Sequence, residues 1–232
     1  GNTAIVKPAE QTPGIASILC DILWEAGVPR EVLHFCPAPG ETTGAALVRD
    51  PRIALVAFTG SRDVGLDILT ASAPGSPFVD PLLRGRATHV KRVICEMGGK
   101  NALIVDTSAD HDEAVLGVRQ SAFGFQGQKC SACSRVIVVD PEGAAGPTIT
   151  AFTKRLVEAT RALTIGDPLL PGTDVGPVID EEARTKILSF ADEARTVSRL
   201  ELAMDVPPAA AATGRAFIGP HIFSGVLPSH RL

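Results

Sequence analysis

The chain has 232 residues, of which 45% are hydrophobic and 21% charged, with 22 basic and 26 acidic side chains. This length suffices for one large domain or two smaller ones, and the apolar content supports a substantial core. The slightly acidic balance, without an extended basic patch, excludes nucleic acid as an expected partner. No apolar run approaches the ~20 residues of a membrane-spanning helix.

The cysteines and the first residues bear on the cellular compartment. The chain contains five cysteines. An odd number in a chain this long argues against the disulfide framework of a secreted protein. The opening residues, Gly1-Asn2-Thr3, lack the basic stretch and apolar segment of a signal peptide. We therefore expect a cytoplasmic protein. Because the chain has no initiating methionine and opens directly into a strand-like run, we also expect a fragment or a processed chain.

The first half alternates short apolar strands with amphipathic helices, which is typical of parallel βαβ units. Residues 3–7 predict a strand. The helix that follows is expected to begin after Thr12, with Pro13 at its first position, and to end at Gly27. Its buried stripe is predicted to consist of Ile15, Ile18, Leu19, Ile22 and Leu23.

Two more strands and two more helices are predicted before a loop. The strands cover 32–35 and 53–58, and the helices cover 41–48 and the residues after Gly60-Ser61. The strand at 53–58 is continuously apolar, so it is expected to be covered on both faces. A stretch rich in proline and glycine, 73–87, is predicted to be a surface loop.

The second half continues the alternation. Asp110 is expected to cap a helix that buries Val115, Val118 and Ala122. The low-complexity run 207–212 is predicted to be a loop or a hairpin tip. The remaining elements are predicted strands at 92–96, 102–105 and 134–139 and predicted helices over 150–163 and 181–197.

The segment 123–132, FGFQGQKCSA, places Cys130 beyond Gly124 and Gly127 in a predicted turn. Glycines let a backbone approach a ligand closely, and the amide of Cys130 could help to hold a carbonyl oxygen as negative charge develops there. The alternative is a buried cysteine that acts as a small apolar residue. Cys133 completes a C-x-x-C pair, which could indicate thiol redox chemistry or a zinc site, although no second pair supports a metal.

Glu96 ends an apolar strand in the segment 95–101, CEMGGKN, and Cys95 is expected to face the opposite side of that strand. A carboxylate here is either structural or a base, and a thiol that attacks a carbonyl needs a base to activate the water that releases the acyl group. The two segments resemble the NAD(P)-dependent aldehyde dehydrogenase superfamily, whose nucleophile lies in G-Q-x-C and whose glutamate lies in E-[LM]-G-G-K. The resemblance covers nearly the whole chain.

The resemblance implies a partial parallel-sheet α/β aldehyde dehydrogenase fold. It places an NAD-binding domain in residues 1–97 and a catalytic domain in residues 98–232. It implies that Cys130 attacks the aldehyde to give a thiohemiacetal and that hydride then passes to NAD⁺. Glu96 would activate the water that hydrolyses the resulting thioester. No metal is expected.

Four residues are implied to bind the cofactor. Lys7 and Glu10 follow the first strand, at the carboxyl end of a parallel sheet, and would contact the hydroxyls of the adenosine ribose. Glu10 would accept from a 2′-hydroxyl and repel a 2′-phosphate, which favours NAD over NADP. Gly60 and Ser61 lie in the segment FTGSRDVG, which matches the family's F-T-G-S-x-x-V-G at a helix start, where free amides favour a phosphate.

The segments 89–102 and 127–135 look most like those of L-glutamate γ-semialdehyde dehydrogenases of the proline utilization A type, also called 1-pyrroline-5-carboxylate dehydrogenases. This implies oxidation of L-glutamate γ-semialdehyde to L-glutamate in proline catabolism, with Ser131 helping to bind the substrate carboxylate. It also implies a homo-oligomer and allows a fused proline dehydrogenase domain. A dehydrogenase for a different aldehyde and a non-catalytic nucleotide-binding fragment stay open as alternatives.

The resemblance further implies that parts of the active site lie outside this sequence. The family's oxyanion-supporting asparagine would precede Gly1. The glutamate that holds the nicotinamide ribose would follow the strand region 214–223, in an E-x-F-G-P segment. We therefore expect the 232 residues alone to lack dehydrogenase activity.

Overall fold

The computed structural model describes residues 1–73, 90–144 and 146–230. The chain divides into two compact units, residues 1–98 and residues 99–232. Helices alternate with mostly parallel strands in both units, and the predicted α/β class is confirmed.

The first unit contains two pairs of parallel strands. The first pair is formed by β1 (Ala4–Val6) and β2 (Leu33–Phe35), which are joined by α1 (Pro13–Glu25). A π-helical turn, Gly40–Gly44, then leads into α2 (Ala45–Arg49). The second pair is formed by β3 (Leu55–Gly60) and β4 (Arg92–Met97), with α3 (Arg62–Ser72) following β3. Residues 74–87 of the predicted loop lie outside the described ranges.

The second unit contains a parallel and an antiparallel pair. The strands β5 (Asn101–Val105) and β6 (Cys133–Val138) run parallel and are joined by α4 (His111–Phe123). Two long helices follow, α5 (Pro147–Arg161) and α6 (Glu181–Val197). The antiparallel pair is formed by β7 (Arg199–Ala203) and β8 (His221–Ser224), with the short α7 (Pro208–Ala211) between them.

Side-chain caps fix where the helices begin. The Ser61 hydroxyl accepts from the Val64 amide at the start of α3. The Asp110 carboxylate accepts from the Asp112 and Glu113 amides at the start of α4, as the sequence predicts. These caps satisfy amides that have no partner within the helix. They therefore fix the residue at which each loop ends and its helix begins.

Each unit has its own buried cluster. In the first unit, Val48, Ile68 and Ala71 pack together beneath the β3–β4 pair. In the second, the largest cluster lies between the β5–β6 pair and the helices α4 and α5, and consists of Val105, Val115, Val118, Phe152 and Leu156. Of the three residues predicted to be buried in α4, Val115 and Val118 are buried and Ala122 is half-buried.

Two sequence-based predictions about local structure are wrong, and a third is right only in part. Most of the predicted apolar stripe of α1 is exposed. The buried residue of this helix is Cys20, so the helix packs against the rest of its unit through a different face. Alternate residues of β3 are exposed, so the strand is not covered on both faces. The run 207–212 does lie in the connection between the antiparallel strands β7 and β8, but it is not a plain loop. It contains the short helix α7, in which three alanines, the strongest helix formers, follow Pro208 at the first position.

None of the described helices is long and apolar enough to cross a membrane.

Candidate active site

The loop that carries Cys130 begins with an unusual reversal of the chain. After α4 ends at Phe123, a short 3₁₀ turn contains three successive residues with positive φ: Phe125 (51°), Gln126 (56°) and Gly127 (69°). A Cβ on Gly127 would lie 2.9 Å from the Ala122 carbonyl oxygen, so glycine is required there. The left-handed conformation is costly for residues with a side chain, so contacts elsewhere must hold this loop.

Two glutamine amides supply those contacts. The side-chain oxygen of Gln128 accepts from the Ile179 amide at 2.9 Å. The side-chain amide of Gln126 is oriented so that both its oxygen and its nitrogen have partners. The oxygen accepts from the backbone amide of Gly176 at 2.8 Å, and the nitrogen donates to the backbone carbonyl of Phe125 at 3.2 Å. The loop is therefore tied to a segment some fifty residues further along the chain.

Cys130 is exposed, and its amide points outward from a tight turn. The Ala132 amide donates to the Lys129 carbonyl at 3.0 Å, which directs that carbonyl into the turn. Because a trans peptide holds its C=O and N–H in opposite directions, the Cys130 amide is directed away from the turn. Within the described ranges no acceptor pairs with this amide. Thiol and amide can therefore both meet a carbonyl group that approaches from solvent. Ser131 is exposed on the same turn.

Cys133, the other half of the C-x-x-C pair, has different surroundings. It is the first residue of β6 and is buried, with its sulfur 3.1 Å from the Arg135 carbonyl oxygen. Burial raises the pKa of the Cys133 thiol, because a thiolate loses its hydration there. The described residues contain no group of three or more His, Cys, Asp or Glu side chains arranged to hold a metal ion.

Glu96 lies on β4 in the first unit, where it is the ladder partner of Thr59. Its side chain is exposed. Cys95, one residue earlier, points to the other face, where it packs against the cluster beneath the sheet and lies 3.7 Å from the Gly65 carbonyl oxygen. Strand alternation predicts this division, and it leaves the Glu96 carboxylate open to solvent.

Lys7 and Glu10 meet just beyond β1. The Lys7 ammonium lies 3.2 Å from a Glu10 carboxylate oxygen, and the same oxygen accepts from the Gly40 amide. The Gly40 amide, then the backbone amide of Glu10 itself and then the Lys7 ammonium lower the pKa of the Glu10 carboxyl. The Lys7 side chain is 20% exposed and the Glu10 side chain is 49% exposed. The carboxylate is thus held ionised at an accessible surface.

Gly60 and Ser61 form the passage from β3 into α3. A Cβ on Gly60 would collide with the Phe58 ring, so this position accepts no side chain without rearrangement. The Ser61 hydroxyl caps the helix by accepting from the Val64 amide at 3.3 Å. The first amides of a helix have no partner within it and carry the positive end of the dipole. The residues at this exposed corner fit an anionic group such as a phosphate.

The structure sorts the predicted site residues by unit. Lys7 and Glu10 are in direct contact, and Gly60-Ser61 follows the ladder partner of Glu96 on the neighbouring strand. All of these belong to the first unit, whereas Cys130 and Ser131 belong to the second. The pairing of Cys130 with Glu96 is therefore not a property of either unit and remains a prediction.

Asn101, for which the motifs predict no role, is connected to the cysteine loop by hydrogen bonds. Its side-chain nitrogen donates to the Cys130 carbonyl at 2.7 Å and to the Ala132 carbonyl at 3.2 Å. Asn101 ends the CEMGGKN segment, so its position in that motif was the available signal.

Comparison with known proteins identifies the family. The sequence profile described as "Aldehyde dehydrogenase family" matches residues 1–232. The chain therefore belongs to the aldehyde dehydrogenase family.

Individual relatives narrow the likeness. The chain is 40% identical, over all its residues, to a 1-pyrroline-5-carboxylate dehydrogenase from Geobacillus kaustophilus, of which it spans 42%. It superposes on 1-pyrroline-5-carboxylate dehydrogenase from Thermus with bound NAD at a TM-score of 0.84 and 39% identity, covering 100% of this chain and 41% of that one. For proline utilization A from Bdellovibrio bacteriovorus the TM-score is 0.87 at 42% identity, covering 99% of this chain and 22% of that one.

Proposed function

We propose that the polypeptide carrying this sequence is an NAD-dependent dehydrogenase that oxidises L-glutamate γ-semialdehyde to L-glutamate in proline catabolism. The observation that carries the proposal is the Cys130 loop, which presents an exposed thiol next to an outward-directed amide. Membership of the aldehyde dehydrogenase family supports the reaction class. The names of the relatives at about 40% identity support the substrate.

The chemistry at Cys130 starts from the thiolate. Its sulfur adds to the aldehyde carbon, so that an S–C bond forms and the carbonyl electron pair moves to oxygen. The outward-directed Cys130 amide donates to that developing oxyanion. When the C=O bond re-forms, the hydrogen leaves the carbon with its electron pair, and a thioester with Cys130 remains.

The thioester is released by water, with Glu96 in the proposed role of base. The carboxylate takes a proton from the water as the water oxygen bonds to the acyl carbon, and the C–S bond then breaks to restore the thiolate. The overall reaction consumes aldehyde, NAD⁺ and water and yields carboxylate, NADH and two protons. A glutamate that is open to solvent, as Glu96 is in its unit, suits this exchange.

The cofactor residues lie in the first unit. NAD supplies the hydride acceptor when bound. The Glu10 carboxylate, held ionised by Gly40 and Lys7, suits a ribose diol and repels a 2′-phosphate. The side-chain-free Gly60 and the start of α3 at Ser61 suit a phosphate. We accordingly propose that residues 1–97 bind NAD and that residues 98–232 perform catalysis.

Further features of the proposal concern the substrate and the cellular setting. The exposed Ser131 hydroxyl, next to the nucleophile, would bind the substrate carboxylate. We further propose a cytoplasmic location, which the five free cysteines among the described residues support. A homo-oligomer is proposed from the family resemblance alone. The resemblance to the proline utilization A type is compatible with a fused proline dehydrogenase domain.

Turnover of the full-length polypeptide tests these roles. We expect NADH formation from L-glutamate γ-semialdehyde, and a loss of roughly 10⁴-fold or more in Cys130→Ala with NAD affinity nearly intact. Glu96→Gln should give a burst of NADH and then a slow steady state, because thioester hydrolysis is slowed more than hydride transfer. Equal loss of both phases would refute the base role. Faster turnover of short aliphatic aldehydes than of the semialdehyde would refute the substrate.

A further inference from the structure

We propose that Asn101 is a positioning residue for the nucleophile, which fixes the direction of the peptide groups around Cys130. This inference rests on the proposed role of Cys130. The evidence is the pair of hydrogen bonds from one side-chain amide to the carbonyls of Cys130 and Ala132, at 2.7 and 3.2 Å. A primary amide carries two N–H donors, so a single nitrogen can satisfy both carbonyls.

Sheet register brings Asn101 to this place. It is the first residue of β5 and the ladder partner of Cys133, the first residue of β6. The register shifts immediately after this pair, between Asn101 and Ala102. The side chain therefore leaves the sheet at the point where the cysteine loop enters it. Gly99 has no side chain, and a Cβ there would contact the Asn101 amide, at 3.6 Å from its oxygen.

The two hydrogen bonds determine which way the loop amides point. Since the Ala132 carbonyl faces Asn101, the Cys133 amide in the same trans peptide faces the other way. There it donates to the Ser121 hydroxyl at 3.1 Å. The Cys130 carbonyl likewise faces Asn101, which directs the Ser131 amide to the opposite side. The loop is thus clamped between an amide donor on β5 and a hydroxyl acceptor on α4.

This clamp matters for the reaction because of the charge that develops on the substrate oxygen. If the Cys130 carbonyl were free to rotate, it could turn its negative end towards that oxygen and repel it. The bond to Asn101 excludes this orientation of the peptide group between Cys130 and Ser131. The Cys130 amide belongs to the preceding peptide group, which the bond from the Ala132 amide to the Lys129 carbonyl holds. A group prepositioned in this way costs no reorganisation during the reaction.

Other side chains would not reproduce this arrangement. Aspartate has the same shape but no donor, and it would add a negative charge beside the loop. Serine offers one donor on a shorter side chain, and alanine offers none. The substitutions therefore weaken the contact in steps. Asn101→Ser leaves one shorter donor, Asn101→Ala removes the hydrogen bonds, and Asn101→Asp removes them and adds a negative charge. Gln120→Glu makes the same amide-to-carboxylate change at an exposed position on α4 and serves as the matched control.

The experiment compares kcat, KM and thiol reactivity in the full-length polypeptide. We expect Asn101→Ala to lower kcat by about 10²-fold, the size expected for misplacement of a reacting group by about 1 Å, with the KM for the aldehyde changed less than threefold. Asn101→Ser should lie between Ala and the wild type. Asn101→Asp should also slow alkylation of Cys130 at neutral pH by roughly fivefold more than Ala does, since a nearby negative charge disfavours the thiolate. Gln120→Glu should change none of these values.

A kcat within threefold of the wild type in Asn101→Ala would overturn the proposal, and so would a loss confined to KM or to thermal stability. If Asn101→Ala does not fold, Asn101→Ser decides in the same way. Cys130→Ala separates this inference from the proposed function. If turnover survives that substitution, the proposed function fails. If turnover is abolished by it but is unaffected in the Asn101 series, only the positioning role fails.

Discussion

At the scale of single residues, Cys130 and Cys133 lie three positions apart and have opposite properties. The first is exposed on a turn, and the second is buried at the start of β6 with its pKa raised by burial. The thiolate is the reactive form of cysteine. The pair therefore combines an exposed thiol with a buried packing residue, so the C-x-x-C spacing alone is a poor guide to redox or metal chemistry.

This difference predicts the order of alkylation. With limiting iodoacetamide at neutral pH, Cys130 should be labelled before Cys133, because the buried thiol stays protonated and inaccessible. Both cysteines fall in one tryptic peptide, CSACSR, so fragment-ion mass spectrometry must assign the site. Cys20, buried on α1, is an internal control for an unreactive thiol. Earlier labelling of Cys133 or Cys20 would contradict the assignment of Cys130.

Glu10 gives a second prediction at this scale. Glu10→Thr should narrow the preference for NAD over NADP by roughly fivefold, since it removes one negative charge close to the proposed position of a 2′-phosphate. The measurement is the ratio of kcat/KM for the two cofactors in the full-length polypeptide. Glu31→Thr removes a charge at an exposed position in the same unit and should leave the ratio unchanged. Equal use of both cofactors by the wild type would show that Glu10 does not face the 2′ position.

At the scale of elements, the sequence predicts most helices and strands to within a few residues. Glycine, proline and capping residues mark their ends, as Asp110 does for α4 and Gly27, with a φ of 99°, does beyond α1. Burial is predicted less well, because an apolar stripe shows which face of a helix could be buried but does not show whether another element packs against that face. The exposed stripe of α1 illustrates this.

In the candidate site, too, the local features could be predicted from the sequence and the long-range contacts could not. The family resemblance of short local segments singles out Cys130, Glu96 and Glu10 as candidate site residues. It does not predict the left-handed turn at 125–127 or the clamp by Asn101, because these depend on register between β5 and β6 and on the distant segment 176–179. Long-range hydrogen bonds to backbone groups leave no periodic trace in a sequence.

The end of α2 gives a prediction about pH and stability. Asp50 accepts from both the guanidinium and the backbone amide of Arg52, and chiefly the guanidinium lowers the pKa of Asp50 from 3.8 to about 2. A lowered pKa contributes stability that is complete above the ordinary value and lost as the pH falls towards 2. Because Arg52 is 86% exposed, we expect this contribution to be about 1 kcal/mol or less.

Asp50→Asn isolates the charge, because its side-chain oxygen can still accept from the Arg52 amide. We expect the variant to lower the Tm of the full-length polypeptide by about 1 °C or less at pH 7 and to match the wild type below pH 2. Asp67→Asn makes the same change of charge at an exposed position on α3 and serves as control. A difference between Asp50→Asn and wild type that persists unchanged at pH 2 would show that the ion pair is not its source.

At the scale of the whole molecule, the described chain is a pair of units that spans 42% of the length of its Geobacillus relative. In the described ranges each sheet has only two strands, and most of the apolar stripe of α1 is exposed. Such surfaces favour association and aggregation. The proposed catalytic residues Glu96 and Cys130 belong to different units.

A polypeptide limited to these 232 residues is therefore expected to show no meaningful turnover. Losing one oxyanion donor costs roughly 10²–10³ in rate, and the family resemblance assigns one such donor, and one nicotinamide-ribose ligand, to segments outside this sequence. The measurement is NADH production from L-glutamate γ-semialdehyde by the purified 232-residue chain, beside the full-length polypeptide. Turnover within tenfold of a typical enzyme's ~10 s⁻¹ would contradict this expectation.

The left-handed turn at Phe125 and Gln126 has a consequence for how the protein refolds. An unfolded chain of L-residues seldom visits this conformation, and each such residue costs about 1 kcal/mol or more to hold there. The contacts that offset this cost, from Gln126 to Gly176 and from Gln128 to Ile179, close a loop of about fifty residues. Local helices form long before such distant contacts. After dilution from denaturant, helical circular dichroism should therefore return first, and the thiol of Cys130 should acquire its native reactivity in a later, slower phase.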